Sequence, residues 1–153
     1  MKFLFLMLLL CIPIFISGTS YWNNQNTPIK TENKSTMSNQ TIKITVDSKT
    51  FNATLLDNPS SEAFKELLPM SITMTELNDN EKYYDLPKKL PSQASNPGTI
   101  HNGDLMLYGS NTLVLFYKTF STSYSYTKLG SINDPAGFKE ALGTGNVIVK
   151  IEL

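Results

Sequence analysis

Residues 98–117 constrain the fold of this chain more than any other stretch. They contain two apolar runs, residues 105–108 and 112–117, joined by a Gly-Ser-Asn turn, and this pattern is typical of a β-hairpin. Both runs are apolar at nearly every position, whereas a strand with one solvent-exposed face alternates apolar and polar residues. The sequence therefore predicts a central strand pair that is buried on both faces.

Weaker patterns predict further strands on both sides of the hairpin. Apolar and polar residues alternate at residues 41–46, 50–56, 70–75 and 147–153, and a shorter strand is expected at 82–84. The first and last of these strands are both half-buried. We therefore expect them to pair and to close an antiparallel barrel of about eight strands.

Two short helices are predicted from the same start signal, an Asn or Asp followed by proline. Asn58-Pro59 begins the first helix, which runs to about residue 68. Asp134-Pro135 begins the second, and Gly143 ends it. The predicted fold is therefore mainly β, a closed antiparallel barrel with two short capping helices.

The N-terminal region has the composition of an export signal followed by a tether. Residues 1–20 combine Lys2, an apolar core and a small-residue end, as a secretory signal peptide does. An uncleaved membrane anchor and lipidation at Cys11 remain alternatives. Residues 21–40 are polar and are predicted to be a flexible tether, with the folded domain at 41–153. The protein is thus expected to be secreted or periplasmic, or to be held to a membrane through its N-terminus alone.

The composition excludes several classes of function. All thirteen basic residues are lysines, balanced by thirteen acidic residues, so no guanidinium can clamp a phosphate or carboxylate. The scattered lysines also argue against nucleic-acid binding. The single cysteine allows no disulfide within the chain, and the single histidine makes a His-rich metal site improbable.

Two short polar segments contain residues that could support chemistry. His101 stands at the hairpin entrance near Asp104, but no serine occupies a nucleophile elbow. We expect His101 to cap the strand entrance and Asp104 to accept hydrogen bonds from loop amides. Asp79 and Glu81 offer alternating oxygen ligands for calcium, but without EF-hand spacing the segment favours a plain turn.

Aromatic residues on and after the hairpin are the stronger candidates for a binding surface. Phe116 and either Tyr108 or Tyr117 are expected to face the barrel interior. Residues 121–127 are polar but rich in tyrosine, and their pattern fits either a loop or an edge strand. Exposed tyrosines among serines provide rigid, amphipathic contact area. The predicted ligand-binding residues are His101, Phe116, Tyr117, Phe120, Tyr124 and Tyr126, and no catalytic residue, metal or cofactor is predicted.

The order of several short motifs resembles that of the bacterial cyclophilin-like domain family. The motifs are Leu55-Leu56-Asp57-Asn58-Pro59, Leu67-Leu68-Pro69, Gly103-Asp104-Leu105-Met106-Leu107-Tyr108, Leu115-Phe116-Tyr117, Tyr126-Thr127-Lys128-Leu129-Gly130 and Asn146-Val147-Ile148-Val149. The resemblance covers residues 41–153 and implies a cyclophilin-type barrel of eight strands with two capping helices.

The same resemblance bears on activity. Cyclophilin isomerases rely on an arginine in a Phe-His-Arg segment, and this chain has neither arginine nor a Phe-His pair. Its segment Ile100-His101-Asn102-Gly103-Asp104 is similar to the Ile-Gln-Gly-Gly-Asp run of the isomerases, with His101 in place of the glutamine. We therefore expect a non-catalytic domain that binds a small molecule or an extended peptide in a shallow groove beside the hairpin. The alternative is a weak or altered prolyl isomerase.

Overall fold

The computed structural model describes residues 40–153. The predictions for the signal segment, for Cys11 and for all but the last residue of the tether concern residues outside this range. The elements are β1 (Thr41–Val46), β2 (Lys49–Leu55), α1 (Pro59–Lys65), β3 (Met70–Leu77), β4 (Glu81–Asp85), β5 (Thr99–Ile100), β6 (Asp104–Tyr108), β7 (Thr112–Phe116), β8 (Phe120–Ser121), β9 (Thr127–Ile132), α2 (Phe138–Leu142) and β10 (Val147–Glu152).

Eight of these strands close into an antiparallel barrel in the order β1-β10-β3-β4-β7-β6-β9-β2, while β5 and β8 form a separate two-stranded ribbon. The closure joins the first strand to the last, and Ile44 of β1 lies opposite Ile151 of β10. Both side chains are fully buried. The predicted fold class is confirmed, including the pairing that closes the barrel.

The central hairpin, β6 and β7, is buried on both faces, as its apolar runs predict. Leu105, Leu107, Leu113 and Leu115 belong to the barrel core. The hairpin side chains that point the other way, Met106, Val114 and Phe116, form a second cluster on the outer face. Ile100 and Tyr126 complete this cluster, and Tyr83 and Phe120 pack against it. A hairpin with two apolar faces thus separates two cores.

The expectation that Phe116 faces the barrel interior is wrong. Phe116 is fully buried, but it belongs to the outer cluster, whereas the next residue, Tyr117, joins the inner core. Tyr108 is 48% exposed and also lies on the outer side. The direction in which a strand residue points is normally inferred from alternation of apolar and polar residues, and a strand buried on both faces lacks that alternation. In β7 the inward positions are occupied by Leu113 and Leu115.

The two helices differ in how closely they follow their predicted starts. In α1, the Asn58 Oδ1 atom accepts a hydrogen bond from the Ser61 amide at 2.9 Å, which confirms the predicted N-cap. The predicted start of α2 at Asp134-Pro135 is wrong. There the Asp134 side chain accepts from the Ala136 amide in a local turn, and the helix begins only after Gly137, whose φ is +75°. Neither helix of residues 40–153 is long and apolar enough to cross a bilayer.

Candidate functional site

A groove of about 610 Å³ lies against the outer face of β4, β7 and the end of β6. Register places Glu81, Tyr83 and Asp85 of β4 opposite Phe116, Val114 and Thr112 of β7, so all six share one side of the sheet. The opposite wall is the segment of residues 120–126. The lining residues are Leu77, Asn78, Asn80, Glu81, Tyr83, Asp85, Tyr108, Thr112, Val114, Phe120, Ser121, Thr122, Ser123, Tyr124 and Tyr126.

The segment of residues 120–126 is held in place by the loop that precedes the hairpin. β8 pairs with β5, the Thr122 amide donates to the Gly98 carbonyl at 2.9 Å, and Ser95 and Tyr126 exchange two main-chain hydrogen bonds of 3.0 Å. The tyrosine-rich segment is therefore partly a short edge strand and partly a braced loop. This bracing gives the groove a fixed wall.

Aromatic rings form most of the groove's apolar surface. The Tyr108 ring packs 5.6 Å from the Tyr126 ring and meets the Tyr124 ring edge-on at 6.4 Å. Below them, the Phe116 ring lies 5.5 Å from Tyr126 and 5.8 Å from Phe120. Tyr124 is 62% exposed and Tyr108 is 48% exposed, so these two rings face the open side of the groove.

Glu81 is the more buried of the two acidic residues of the groove. The residue is only 9% exposed, and among the described residues none forms a hydrogen bond or ion pair with its carboxyl. Burial, with a smaller contribution from the negative charge of Glu76, raises its pKa from 4.5 to about 7. Burial also raises the pKa of Tyr126 to about 12, and the Glu81 charge adds to that shift. The groove thus holds a carboxyl that changes charge near neutral pH.

The charge of the groove is one-sided. Glu81 and Asp85 are both in the lining, and within the described part of the chain no lysine or histidine joins them. Asp85 accepts a hydrogen bond from the Thr112 hydroxyl at 2.6 Å. Asn80, also in the lining, has a buried side-chain oxygen that no described residue hydrogen-bonds. The site therefore presents acceptors and aromatic faces.

A carboxyl with a pKa near 7 in a cleft can in principle transfer protons. Such a role needs a second group placed to exchange the proton with it. None of the described side chains hydrogen-bonds Glu81, so the arrangement is better suited to holding a ligand than to an acid–base pair. Within residues 40–153 no three His, Cys, Asp or Glu residues cluster in a way that would hold a metal ion.

The structure brings together four of the six residues predicted to bind a ligand. Phe120, Tyr124 and Tyr126 line the groove, and Phe116 lies directly beneath Phe120 and Tyr126. His101 and Tyr117 are not among the lining residues. Whether the four bind a ligand stays a prediction.

His101 belongs to the entrance of β6. Its amide donates to the Asp104 Oδ2 atom at 2.9 Å, and its Nδ1 atom lies 3.8 Å from the same oxygen. Lys128 pairs with the other Asp104 oxygen at 2.8 Å. Gly103 supplies a φ of +92° at this tight entrance. The interpretation of Asp104 as an acceptor for loop amides is confirmed, and the His101 side chain is 65% exposed.

Tyr117 belongs to a buried polar network at one end of the barrel. Its hydroxyl donates to Glu76 Oε1 at 2.7 Å, and Lys82 Nζ pairs with Glu76 Oε2. The same ammonium donates to the carbonyls of Gly145 at 2.6 Å and Gly143 at 3.0 Å. The Lys82 side chain is wholly buried. The network therefore links β3 and β4 to the loop after α2.

Sequence reasoning did not identify Glu76, Lys82 or the role of Glu81. The sequence pattern indicates Glu81 only as a calcium ligand together with Asp79. The turn before it is a plain turn, as favoured: Asn78 and Asp79 both have positive φ, and Asp79 pairs with Lys118 at 2.6 Å. The sequence does contain one signal for Glu81. Successive side chains of a strand point to opposite faces, so Glu81, Tyr83 and Asp85 share one face of β4, and Lys82 and Tyr84 share the other.

The comparisons with known proteins agree with this architecture. A model of the cyclophilin-like family matches residues 44–152. The solution structure of a hypothetical protein from Archaeoglobus fulgidus superposes with a TM-score of 0.54 at 17% sequence identity, covering 78% of this chain and 98% of the archaeal one. At that identity the likeness shows the fold alone. No curated protein matches the sequence significantly. Because the family model spans nearly all of the barrel, the chain belongs to the cyclophilin-like family.

Proposed function

We propose that this protein is a non-catalytic binding domain that takes a small molecule into the groove between β4, β7 and residues 120–126. The observation that carries the proposal is the groove itself, about 610 Å³ in volume and lined by five aromatic, two aliphatic and eight polar side chains. Small-molecule sites are commonly concave, mostly apolar and of this size. The exposed Tyr124 and Tyr108 rings supply contact area at low entropic cost.

A small molecule fits this surface better than an extended peptide does. Peptides often bind by adding a strand to a free sheet edge, where main-chain hydrogen bonds provide affinity. The strands beneath the groove have no free edge, because β4 lies between β3 and β7, and β7 lies between β4 and β6. A ligand on the floor of the groove is therefore held through side chains, and β8 in the wall offers only the two residues Phe120 and Ser121 as a strand edge, so the site suits a compact molecule.

The proposal includes the absence of prolyl isomerase activity. The chain has no arginine to act on a prolyl amide, and the peptide-bond barrier of about 20 kcal/mol leaves little turnover without such a group. A standard isomerisation assay with a prolyl tetrapeptide should show no acceleration by the purified protein. Clear turnover would replace binding by catalysis as the function.

We further propose that the domain works outside the cytoplasm, because residues 1–20 have the composition of a signal peptide. N-terminal sequencing of the protein recovered from an exporting host should show a cut near residue 20. Recovery of the intact N-terminus in the membrane fraction would favour the anchor instead.

Binding is tested by screening an aromatic fragment library against the full-length chain by NMR. Compounds that bind should shift the signals of Tyr108, Phe120, Tyr124 and Tyr126 together. Tyr124→Ala should weaken the hits at least fivefold, because its ring is 62% exposed at the open side of the groove.

Ile148→Ala is the matched control, since Ile148 is an apolar residue of β10 that is 63% exposed and does not line the groove. It should leave every affinity unchanged. A library without hits, or hits that shift signals only elsewhere, would overturn the proposed function.

A further inference from the structure

Resting on the proposed function, we infer that the ligand of this groove is a small organic cation, an amine carried on an apolar or aromatic body. The features that carry the inference are a buried carboxyl without a partner, a lining that contains acidic side chains but no basic ones, and a set of tyrosine rings around them.

The buried carboxyl is that of Glu81. The residue is only 9% exposed and lines the groove, yet no described residue supplies a hydrogen bond or an opposite charge to its carboxyl. Buried carboxyl groups are normally paired, because an isolated charge in a poorly solvated site is costly. Elsewhere in this domain the rule holds, since the buried Asp104 is paired with Lys128. Glu81 therefore lacks a cation that a ligand would provide.

The lining strengthens this charge argument. Asp85 adds a second carboxyl on the same strand face, and no lysine or histidine of the described residues lines the groove to neutralise either. The nearest ammonium groups are committed elsewhere: Lys118 pairs with Asp79, and Lys82 is buried on the other side of the strand against Glu76. An anionic ligand would meet only like charge, whereas a cation meets complementary charge.

The tyrosine rings suit the same ligand. Tyr83, Tyr108, Tyr124 and Tyr126 all line the groove, and Phe120 adds a fifth ring. The faces of aromatic rings carry partial negative charge and attract organic cations, and several rings around one ammonium group form a recognised cation site. The rings also accept the apolar body of the amine. Metal cations are poorer candidates, because Glu81 and Asp85 are the only carboxyls in the described lining and no three His, Cys, Asp or Glu residues of the described range cluster to hold such an ion.

The charge of Glu81 makes cation binding depend on pH. Its carboxyl titrates near pH 7, so the site gains its negative charge between about pH 6 and 8. The ionisable groups around it are Asp85 and the tyrosines of the lining, with Glu76 on the opposite side of the strand pair. Glu76 has a pKa below its ordinary value and stays charged over this interval, whereas Tyr126 titrates near 12 and stays neutral.

The test compares benzylamine with benzyl alcohol, which have nearly the same shape but differ in charge. Both are titrated into the full-length chain at pH 8 and followed by NMR. Benzylamine should bind at least tenfold more tightly than benzyl alcohol. In Glu81→Gln this preference should fall at least fivefold, with benzyl alcohol affinity unchanged. Glu140→Gln, which removes an exposed carboxyl on α2, is the matched control and should behave as the unaltered protein does.

The pH arm uses the same amine, which stays protonated throughout. Its affinity should rise about tenfold from pH 5.5 to pH 8 in the unaltered protein and change little in Glu81→Gln.

A third arm titrates acetyl-Gly-Lys-Gly-amide. If this peptide binds more tightly than benzylamine, the inference that the ligand is a small molecule would be wrong, and the cation would be the lysine side chain of a peptide.

The outcomes separate the two proposals. Equal affinity of benzylamine and benzyl alcohol, with shifts at the groove tyrosines, would overturn the cation inference and leave the groove as a binding site. Absence of shifts at those tyrosines with every compound, in this experiment and in the fragment screen, would overturn both.

Discussion

Two glutamates of the β3–β4 hairpin lie on opposite sides of the same strand pair and have opposite environments. Glu76 faces the inner end of the barrel, where Lys82 and the Tyr117 hydroxyl both bond its carboxylate. Glu81 faces the outer groove, where no described residue bonds it. The first glutamate has its partners within the fold, and the second lacks them. The difference identifies the inner network as structural and the outer face as a place for a ligand.

The ionisation of the two groups follows the same division. Burial disfavours the charged form of both. For Glu76, the hydrogen bonds from Lys82 and Tyr117 and the Lys82 charge outweigh burial, so its pKa lies below 4.5. For Glu81 nothing opposes burial, and its pKa rises to about 7. Substitutions on the two faces should therefore have opposite effects on stability.

The largest effect is expected from breaking the inner network at Lys82. Lys82→Met removes the only ammonium that pairs with Glu76 among the described residues, and leaves a part-buried carboxylate with the Tyr117 hydroxyl and the Asp79 backbone amide as its hydrogen-bond donors. Removal of one partner of a buried ion pair typically costs about 3–5 kcal/mol. Denaturant unfolding at pH 7 should show a loss of that order.

Lys118→Met is the matched control for this substitution, because its pair with Asp79 lies at the surface. Exposed pairs contribute about 0–1 kcal/mol. Equal effects of the two substitutions would show that the inner network does not stabilise the fold, and the contrast between the two glutamates would lose its basis.

A smaller effect with the opposite sign is expected from the outer glutamate. The pKa of Glu81 is raised in the folded state, so between pH 4.5 and about 7 the unfolded chain releases a proton that the folded chain retains. Folding stability should therefore fall as pH rises through this interval. Glu81→Gln removes the penalty, and should stabilise the protein by about 2 kcal/mol at pH 8 and by little at pH 4.

Glu76→Gln provides the comparison, since it replaces a carboxylate whose charge the fold favours. It should destabilise the protein at pH 8, and the loss should shrink as pH falls below 4.5. Thermal unfolding of the two variants and the unaltered protein from pH 8 down to about pH 3 measures both effects. A Glu81→Gln variant that loses stability at pH 8 would show that the carboxyl has a partner within the chain, which contradicts the argument for a cationic ligand.

The contrast between the two faces also shows what the sequence could predict. Most strands of the barrel and the burial of β6–β7 on both faces follow from apolar patterns that are local to each strand, and the half-buried pattern of the first and last strands predicts the pairing that closes the barrel. Three of the five aromatic residues that line the groove, Phe120, Tyr124 and Tyr126, lie in or beside a segment of tyrosine among serine, which is a local feature of composition.

Glu76, Lys82 and Glu81 could not be assigned in this way. Their roles depend on partners far along the chain, such as Tyr117 and the Gly143 and Gly145 carbonyls, which only the closed barrel brings together. Alternation along β4 places Lys82 and Glu81 on opposite faces of the strand, but it does not tell which face points into the barrel. The error at Phe116 has the same origin, because both sides of β7 are apolar.

The finest test of the inner network is Tyr117→Phe, which removes one hydroxyl and keeps the ring. The hydroxyl donates to the ionised Glu76, and hydrogen bonds to charged groups contribute about 1.5–3 kcal/mol. Because Lys82 still pairs with the carboxylate, we expect a loss near 1.5 kcal/mol at pH 7. The loss should become smaller below pH 4.5, where protonation of Glu76 removes the stability that its low pKa provides.

The matched control is Tyr83→Phe, on the outer face. It loses a hydroxyl that no described residue bonds, and should change stability by less than about 0.5 kcal/mol. Equal losses in the two variants would mean that the Tyr117 hydroxyl contributes no more than an ordinary solvated phenol, and that Lys82 alone holds Glu76 in its charged form.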